Sequence, residues 1–179
     1  MKDEYLAILG LGSNVGERES WLRQAVTCLQ EIAGLSDVRV SSLYESVALL
    51  PPDAPADWDK PYYNVVISGN TLYSPRQLLE IVQKIETMLG REEDHRYWSP
   101  RIIDIDILAY GSEIVNEDDL VIPHRFLGQR VFTLLPLLEI LPVWRFPIGS
   151  EMAGKTASQA YDELPILDKQ NINKIENLW

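Results

Sequence analysis

Cysteine and long apolar runs are almost absent from this sequence, and both absences narrow the class of protein. A single cysteine, Cys28, excludes an internal disulfide and favours a reducing compartment such as the cytoplasm. No apolar run approaches the roughly 20 residues of a membrane-spanning helix, and the acidic N-terminal stretch lacks the apolar centre of a signal peptide. With 46% hydrophobic residues among 179, the chain is expected to bury a sizeable core.

Positive charge is also scarce, and it is unevenly distributed. The chain has 16 Lys and Arg residues against 27 Asp and Glu residues, which argues against a nucleic-acid partner because phosphate contacts dominate that affinity. Between Lys84 and Lys155 every cation is nonetheless Arg or His, and the guanidinium fork suits phosphate oxygens. The group includes Arg91, Arg96, Arg101, His124, Arg125 and Arg130. It predicts a site for one small anion, although surface arginines that offset nearby acids would give a similar pattern.

The run from Trp98 to Leu108 carries two aspartates among β-branched residues. Side chains alternate along a strand, so Asp104 and Asp106 share one face while Ile105 points to the other. The two carboxylates lie roughly 7 Å apart at their Cα atoms. They repel unless protonated, solvated or bridged by a cation, and Mg²⁺ is the usual cation for oxygen ligands. The pattern predicts either a metal site or a strand with one solvated face, and the flanking arginines favour a metal-bound polyphosphate.

Hydrophobic spacing predicts one α+β domain over residues 1–179, with a polar C-terminal tail from about residue 165. Strands are expected at 5–11, 38–44, 62–72 and along the Asp-bearing run, and helices at 17–32, 75–89 and 156–164. Residues 131–140 are expected to form either a short helix or an apolar packing segment. Ser74 and Pro75 are typical of a helix start, and Gly90 of a helix end. Gly111 and Ser112 predict a hairpin turn. The order of elements is that of a ferredoxin-like fold, an antiparallel sheet with helices packed on one face.

Six motifs, in order, resemble one enzyme family over roughly residues 5 to 142. The most specific is W-x-P-R-x-x-D-x-D, from Trp98 to Asp106. The others are Leu11-Gly12-Ser13-Asn14, Ser41-Ser42-Leu43-Tyr44, Tyr63-Asn64, Gly90-Arg91, and Pro123-His124 with Arg130 and Phe132. Together they closely resemble the 6-hydroxymethyl-7,8-dihydropterin pyrophosphokinase family.

The resemblance implies a reaction of folate biosynthesis in the cytoplasm. The β,γ-pyrophosphoryl group of ATP would pass to the pterin hydroxymethyl oxygen, releasing AMP, with two Mg²⁺ ions held by Asp104 and Asp106. Whether Asp106 accepts the hydroxyl proton, or the hydroxyl loses it on becoming a metal ligand, stays open. The expected partners are ATP and the dihydropterin, with no nucleic acid and no membrane, and the chain is expected to be a monomer.

The resemblance also implies a role for individual residues. The catalytic residues would be Arg91, Arg101 and Asp106. The pterin would contact Ser46, Val47, Leu49, Tyr62, Asn64, Trp98 and Phe132. The nucleotide would contact Gln83, Glu86, Arg91, Arg101, Ile107, His124 and Arg130.

Each of these residues has a simpler interpretation. Trp98 and Phe132 could be ordinary core residues, Glu86 a solvated helix residue, and His124 a surface residue. Two other functions share the acid pair and the arginines: a two-metal phosphohydrolase, and a nucleotide-binding regulatory module without turnover. The aromatic residues and Asn64 argue against the hydrolase, since water needs no such pocket. The acid pair argues against the module, since carboxylates weaken the binding of a polyanion.

Two segments depart from the family pattern. After Tyr44 the family usually continues with a Thr-Pro-containing, Gly-bearing loop, whereas this chain has a longer segment, from Glu45 to Lys60, with several prolines. In the second segment Glu93 stands where the family often has a basic residue. Arg96 is the expected substitute for that missing phosphate contact.

Overall fold

The computed structural model describes residues 4–91 and 98–176. Its strands are β1 (Tyr5–Ser13), β2 (Ser36–Val40), β3 (Leu43–Ser46), β4 (Tyr62–Thr71), β5 (Asp104–Tyr110), β6 (Val115–Asn116), β7 (Val121–Ile122) and β8 (Ile172–Glu176). Its helices are α1 (Arg18–Glu31), α2 (Pro75–Met88), α3 (Val131–Ile140), α4 (Ala157–Glu163) and α5 (Ile166–Gln170). Within the described ranges, none of the helices has the length and apolarity needed to cross a bilayer.

The main sheet is antiparallel, with strand order β5-β1-β4-β3-β8 and with β2 also paired to β4. Because side chains alternate, β1 contributes to two cores. Leu9 and Leu11 pack with α1 and α2 on one face, and Ile8 packs with α3 and α4 on the other. The predicted antiparallel α+β fold is confirmed, but its helices cover both faces rather than one. The second layer was missed because α3 is apolar almost all round and shows no helical stripe.

Helix α2 begins and ends as its sequence predicts, and its end positions a charged pair. Ser74 and Gln77 form a capping box at the start. At the other end Gly90 adopts a positive φ of 98°. The Arg91 N–H then donates to the Glu86 carbonyl at 3.0 Å, and the Gly90 N–H donates to the Thr87 carbonyl at 3.0 Å. This is a Schellman motif, and it returns Arg91 to the side of Glu86.

Strand β5 presents its carboxylates on the α3 face of the sheet. Ile105 and Ile107 are buried against α1 and α2, so Asp104 and Asp106 point to the opposite face. The predicted hairpin after β5 does not form, because β6 pairs with β7 instead. The β6–β7 ribbon therefore lies near the acid pair rather than extending the main sheet.

The C-terminal region departs from the predicted polar tail. Residues 166–176 form α5 and β8, and β8 pairs with β3 at the edge of the main sheet. An edge strand needs only a minimal apolar signal, and here Ile172 is the buried contact. The predicted strand 38–44 is likewise split into β2 and β3 at Ser42, whose N–H and hydroxyl donate to Glu139 of α3.

Candidate active site

A cavity of about 620 Å³ opens on the α3 face of the sheet, beside the start of α3. It brings together most of the predicted site residues from six separate parts of the chain. These are Ser46, Val47, Leu49, Tyr62, Asn64, Arg91, Trp98, Arg101, Asp104, Asp106, His124, Arg130 and Phe132.

Two glycines of β1 leave room for this cavity. Gly12 pairs with Asp104 and Gly10 pairs with Asp106 across the strands. A Cβ atom at Gly10 would lie 3.2 Å from the side chain of Leu108. A Cβ atom at Gly12 would stand 3.5 Å from Tyr62, on the cavity floor. The absence of side chains at these two positions keeps the space beside both carboxylates open.

A chain of charges links α2 to the acid pair. Asp104 Oδ1 accepts hydrogen bonds from Arg91 Nη1 at 2.9 Å and from Arg101 Nη1 at 3.0 Å. Arg91 also pairs with Glu86. Burial and the neighbouring charge of Asp104 raise the pKa of Asp106, with Arg130 and Arg101 acting in the opposite direction. An additional cation beside Asp106 would therefore stabilise its charged form.

Glu86 is 6% exposed and is not the solvated helix residue that its neighbours suggested. One of its oxygens accepts a hydrogen bond from the Ile105 N–H at 2.7 Å, between the two aspartates. Burial raises the pKa of Glu86 to about 7, although Arg91 lowers it. Glu86 thus lies behind Arg91 and binds the backbone of β5 rather than lining the cavity, so a nucleotide contact by its side chain stays a prediction.

The buried carboxyl of Glu86 should make stability depend on pH. Its folded pKa of about 7 exceeds its ordinary value of 4.5, so the folded state binds the proton more tightly. The free energy of unfolding should therefore fall, by on the order of 3 kcal/mol from this group, as pH rises from about 4.5 to 7. Glu86→Gln keeps an acceptor for the Ile105 N–H and removes the titration.

Urea denaturation at pH 5 and pH 7.5 checks this expectation. The variant and the wild type should have similar free energies of unfolding at pH 5. At pH 7.5 the free energy of unfolding of the variant should be higher than that of the wild type. Taking the difference between the two proteins cancels the other titrating groups. An unchanged difference at the two pH values would contradict the assignment.

His124 is held as a neutral imidazole. Burial, together with the charges of Arg130 and Arg125, lowers its pKa to about 4. Its Nδ1 accepts a hydrogen bond from the Phe126 N–H at 3.3 Å, so the proton of the neutral ring belongs on Nε2. The backbone N–H of His124 donates to the Leu108 carbonyl at 2.9 Å, which fixes this segment to β5. His124 can therefore offer one hydrogen-bond donor but no positive charge near pH 7.

Polar and aromatic side chains form the other half of the cavity. Asn64 is buried, and its amide Nδ2 donates to Ser46 Oγ at 2.9 Å. Trp98 has a positive φ of 71°, a backbone conformation that is energetically costly for a bulky residue. In this conformation its side chain lines the cavity. Phe132 is half-buried beside Arg130, whose guanidinium lies 5.5 Å from its ring centroid.

Asn14 helps to build the site, a role that was not predicted from the sequence. Its Oδ1 accepts from the Arg101 N–H at 2.8 Å, and its own N–H donates to the Arg101 carbonyl at 3.2 Å. Its Nδ2 also donates to the Lys60 carbonyl at 3.4 Å. The sequence placed Asn14 in a family motif without assigning it a role, and in the structure its side chain ties together two loops that border the cavity.

Some predicted residues lie elsewhere, and some lining residues were not predicted. Ile107 is buried in the opposite core and Gln83 is exposed on α2, so nucleotide contacts by these side chains stay predictions. Glu93 and Arg96 fall outside the described residues. Arg125, named above only as a member of the predicted anion-binding group, also lines the cavity, and the lining residues that were missed include Asp118, Asp119, Val121, Phe126 and Thr133. Most come from or adjoin the β6–β7 ribbon, whose position only the tertiary fold determines.

Known proteins share this sequence and this fold. Residues 8–142 match the family model described as 7,8-dihydro-6-hydroxymethylpterin-pyrophosphokinase. The chain is 38% identical to the 2-amino-4-hydroxy-6-hydroxymethyldihydropteridine pyrophosphokinase of Methylorubrum extorquens, over 95% of this chain and 98% of that protein. A crystal structure of Plasmodium falciparum HPPK-DHPS with pterin and p-hydrobenzoate is similar to this chain, with a TM-score of 0.69 at 17% identity. The similarity covers 98% of this chain and 48% of that one, and it shows that the two share a fold.

Other relatives are longer proteins. The folate synthesis bifunctional protein of Chlamydia caviae is 39% identical over 92% of this chain, but this chain spans only 37% of its length. The family model, in contrast, covers most of the present chain. The alignment with the relative from Methylorubrum extends over nearly the whole length of both proteins. These matches agree with the cavity described above, and they show that the chain belongs to the 7,8-dihydro-6-hydroxymethylpterin-pyrophosphokinase family.

Proposed function

We propose that this chain transfers the β,γ-pyrophosphoryl group of ATP to the hydroxymethyl oxygen of 6-hydroxymethyl-7,8-dihydropterin and releases AMP, as a cytoplasmic step of folate synthesis. One observation carries the proposal: an acid pair, whose member Asp104 is bound by two arginines, shares a cavity with an aromatic, amide-lined half. The charged half suits a polyphosphate, and the other half suits a flat heterocycle. The membership of the family supports the same reaction.

The donor atoms of the acid pair fit Mg²⁺. Asp104 and Asp106 offer oxygen ligands only, and within residues 4–91 and 98–176 no group of three or more acids, histidines or cysteines converges on a point. Mg²⁺ in phosphoryl-transfer sites is commonly bound by one or two carboxylates, with waters and substrate phosphates completing the shell. We propose that two ions are held here. When bound, they would neutralise charge on the polyphosphate and on the reacting oxygens.

Arg91 and Arg101 are the proposed phosphate-binding and catalytic groups. Both are oriented by Asp104 before any substrate arrives, which reduces the cost of positioning them during the transfer. Arg130 reaches the same cavity from the start of α3, and His124 can donate one neutral hydrogen bond. Phosphoryl transfer depends mainly on such positioning and charge neutralisation.

The pterin would occupy the polar and aromatic half. Trp98 and Phe132 would contact its faces, and the buried amide of Asn64 would bind its edge. Ser46 and Tyr62 line the same region, with Val47 and Leu49 at its mouth. A buried amide needs hydrogen-bond partners, and a pterin edge supplies both donors and acceptors.

The nucleotide product tests the proposal directly. The protein is incubated with ATP and Mg²⁺, with and without the dihydropterin alcohol, and AMP is separated from ADP. Pterin-dependent AMP supports the pyrophosphokinase. ADP with free phosphate would support the two-metal hydrolase, and bound nucleotide without any product would support the regulatory module.

Removing the aromatic wall should affect one substrate only. Trp98→Ala should weaken dihydropterin binding by roughly 1–3 kcal/mol, the scale of a lost stacking contact, and should change nucleotide affinity much less. Calorimetric titration of each ligand measures both. Trp144→Ala is the matched control, since Trp144 packs edge-on against Phe146 in the α3–α4 core. Equal losses for both ligands in Trp98→Ala would indicate a collapsed structure and contradict the assignment.

A further inference from the structure

Arg18 contacts both strands that border the long segment 47–61. It is the first residue of α1, and its Nη1 donates to Glu45 Oε1 at 3.0 Å and to the Pro61 carbonyl at 2.8 Å. Its guanidinium also lies 3.6 Å from the ring centroid of Tyr63. Glu45 belongs to the end of β3, and Pro61 immediately precedes β4. One partly buried side chain therefore joins the point where the segment leaves the sheet to the point where it returns.

These contacts lie on the face of the sheet opposite the cavity. Glu45 pairs directly with Tyr63 across the two strands, and the next pair toward the segment is Ser46 with Tyr62. Because side chains alternate, Ser46 and Tyr62 point to the cavity face and line it. The position of the Glu45–Tyr63 pair thus determines where these two side chains project. Arg18 can affect the cavity without touching anything bound in it.

Few other hydrogen bonds hold the segment to the rest of the described structure. At its start the Val47 N–H donates to the Asn171 carbonyl at 3.4 Å, and near its end Asn14 donates to the Lys60 carbonyl at 3.4 Å. Between these points the recorded bonds are local, such as those from Ala54 to Pro51 and from Trp58 to Pro55. The Arg18 contacts are shorter than either of the two end contacts, and they are charge-assisted, which makes them the stronger attachment.

We propose that Arg18 is a positioning residue for the heterocyclic substrate. Arg18 holds the end of β3 to the start of β4, and it thereby fixes the positions of the cavity-facing side chains Ser46 and Tyr62. Because Asn64 donates to Ser46, the position of the Asn64 amide is fixed as well. It also fixes the base of the segment that carries Val47 and Leu49 at the mouth of the cavity. The proposal rests on the proposed function for the identity of this substrate. It assigns Arg18 to dihydropterin affinity, and not to nucleotide binding or to the transfer step.

Four variants test the assignment: Arg18→Ala, Arg18→Lys, Glu45→Ala and the control Arg23→Ala, which removes an arginine paired with Glu19 on the same helix. Arg18→Ala should raise the dissociation constant and the KM for the dihydropterin roughly tenfold, since a charge-assisted pair is lost. Its kcat and its ATP affinity should stay within about twofold of the wild type. Glu45→Ala should likewise weaken dihydropterin binding without changing kcat or ATP affinity. Arg18→Lys should weaken dihydropterin binding less, and Arg23→Ala should leave it unchanged.

Hydrogen–deuterium exchange and thermal unfolding provide the structural readout. Exchange in residues 47–60 should be faster in Arg18→Ala, with α2 and β5 unchanged. Wild-type dihydropterin affinity in Arg18→Ala would overturn the assignment. Parallel losses for both substrates with a lower Tm would overturn it as well, because they would mark general destabilisation. A wild-type protein that binds ATP but no dihydropterin would refute the proposed function itself, and this assignment with it.

Discussion

Asp106→Asn is expected to lower turnover by at least about 10³-fold, because it removes a proposed metal ligand from the place where the proposed reaction needs polyphosphate charge to be neutralised. Asp104→Asn should have a similar effect on rate. It should also loosen Arg91 and Arg101, since Asp104 Oδ1 accepts a hydrogen bond from each. Steady-state rates at saturating Mg²⁺ measure the first effect. The Mg²⁺ concentration required for half-maximal rate measures the metal contribution separately.

Stability and activity measured together in the same variants distinguish a functional acid pair from a solvated strand face. Relieved repulsion leaves stability unchanged or higher in both cases, and only a functional pair loses activity. Burial and the charge of Asp104 raise the pKa of Asp106, so removing its charge should leave the free energy of unfolding unchanged or increase it. A more stable and nearly inactive Asp106→Asn variant is the expected combination. Asp37→Asn is the control, an exposed aspartate of β2 with a positive φ of 49° that asparagine also tolerates. Near wild-type activity in both acid-pair variants would refute the metal assignment.

The sequence predicted those features of the site that depend on local periodicity. Strand alternation placed Asp104 and Asp106 on one face, and the structure has them there. The helix start at Ser74 and Pro75 was also evident, because the capping residues and the apolar spacing agree. In each case the physical cause acts within a few residues, so the sequence contains it in full.

Features that depend on distant contacts could not be predicted in this way. Glu86 is on the helix that packs beside β5, and only the tertiary fold brings it to the Ile105 N–H. The role of Asn14 depends on Arg101, which lies 87 residues away in the sequence and donates its N–H to the Asn14 side chain. Strand β8 lies at the edge of the sheet and needs few buried side chains, so its sequence is mostly polar. Its hydrophobic pattern therefore resembles that of an unstructured tail. The Arg18 contacts are of the same kind, since they join three elements through one side chain.

Arg101 is a firmly positioned cation of the cavity. Its backbone is bonded on both sides by Asn14, its Nε donates to the Ser99 carbonyl at 3.3 Å, and its Nη1 donates to Asp104 at 3.0 Å. Its side chain is 15% exposed. A preorganised donor in a site with little water contributes most where charge develops in the transition state, because it does not reorganise during the reaction.

Arg101→Ala should therefore lower kcat/KM by about 10²–10³-fold, mainly through kcat, because the lost interaction strengthens during the transfer. Arg101→Lys should recover part of this loss, since it restores the charge but not the two-pronged geometry. Added guanidinium ion should raise the rate of Arg101→Ala and leave Arg101→Lys unaffected. The control is Arg145→Ala, an exposed arginine that donates to the Gly154 carbonyl. If Arg101→Ala changed only the KM for ATP, Arg101 would be a ground-state phosphate ligand, and its assignment to the transition state would be wrong.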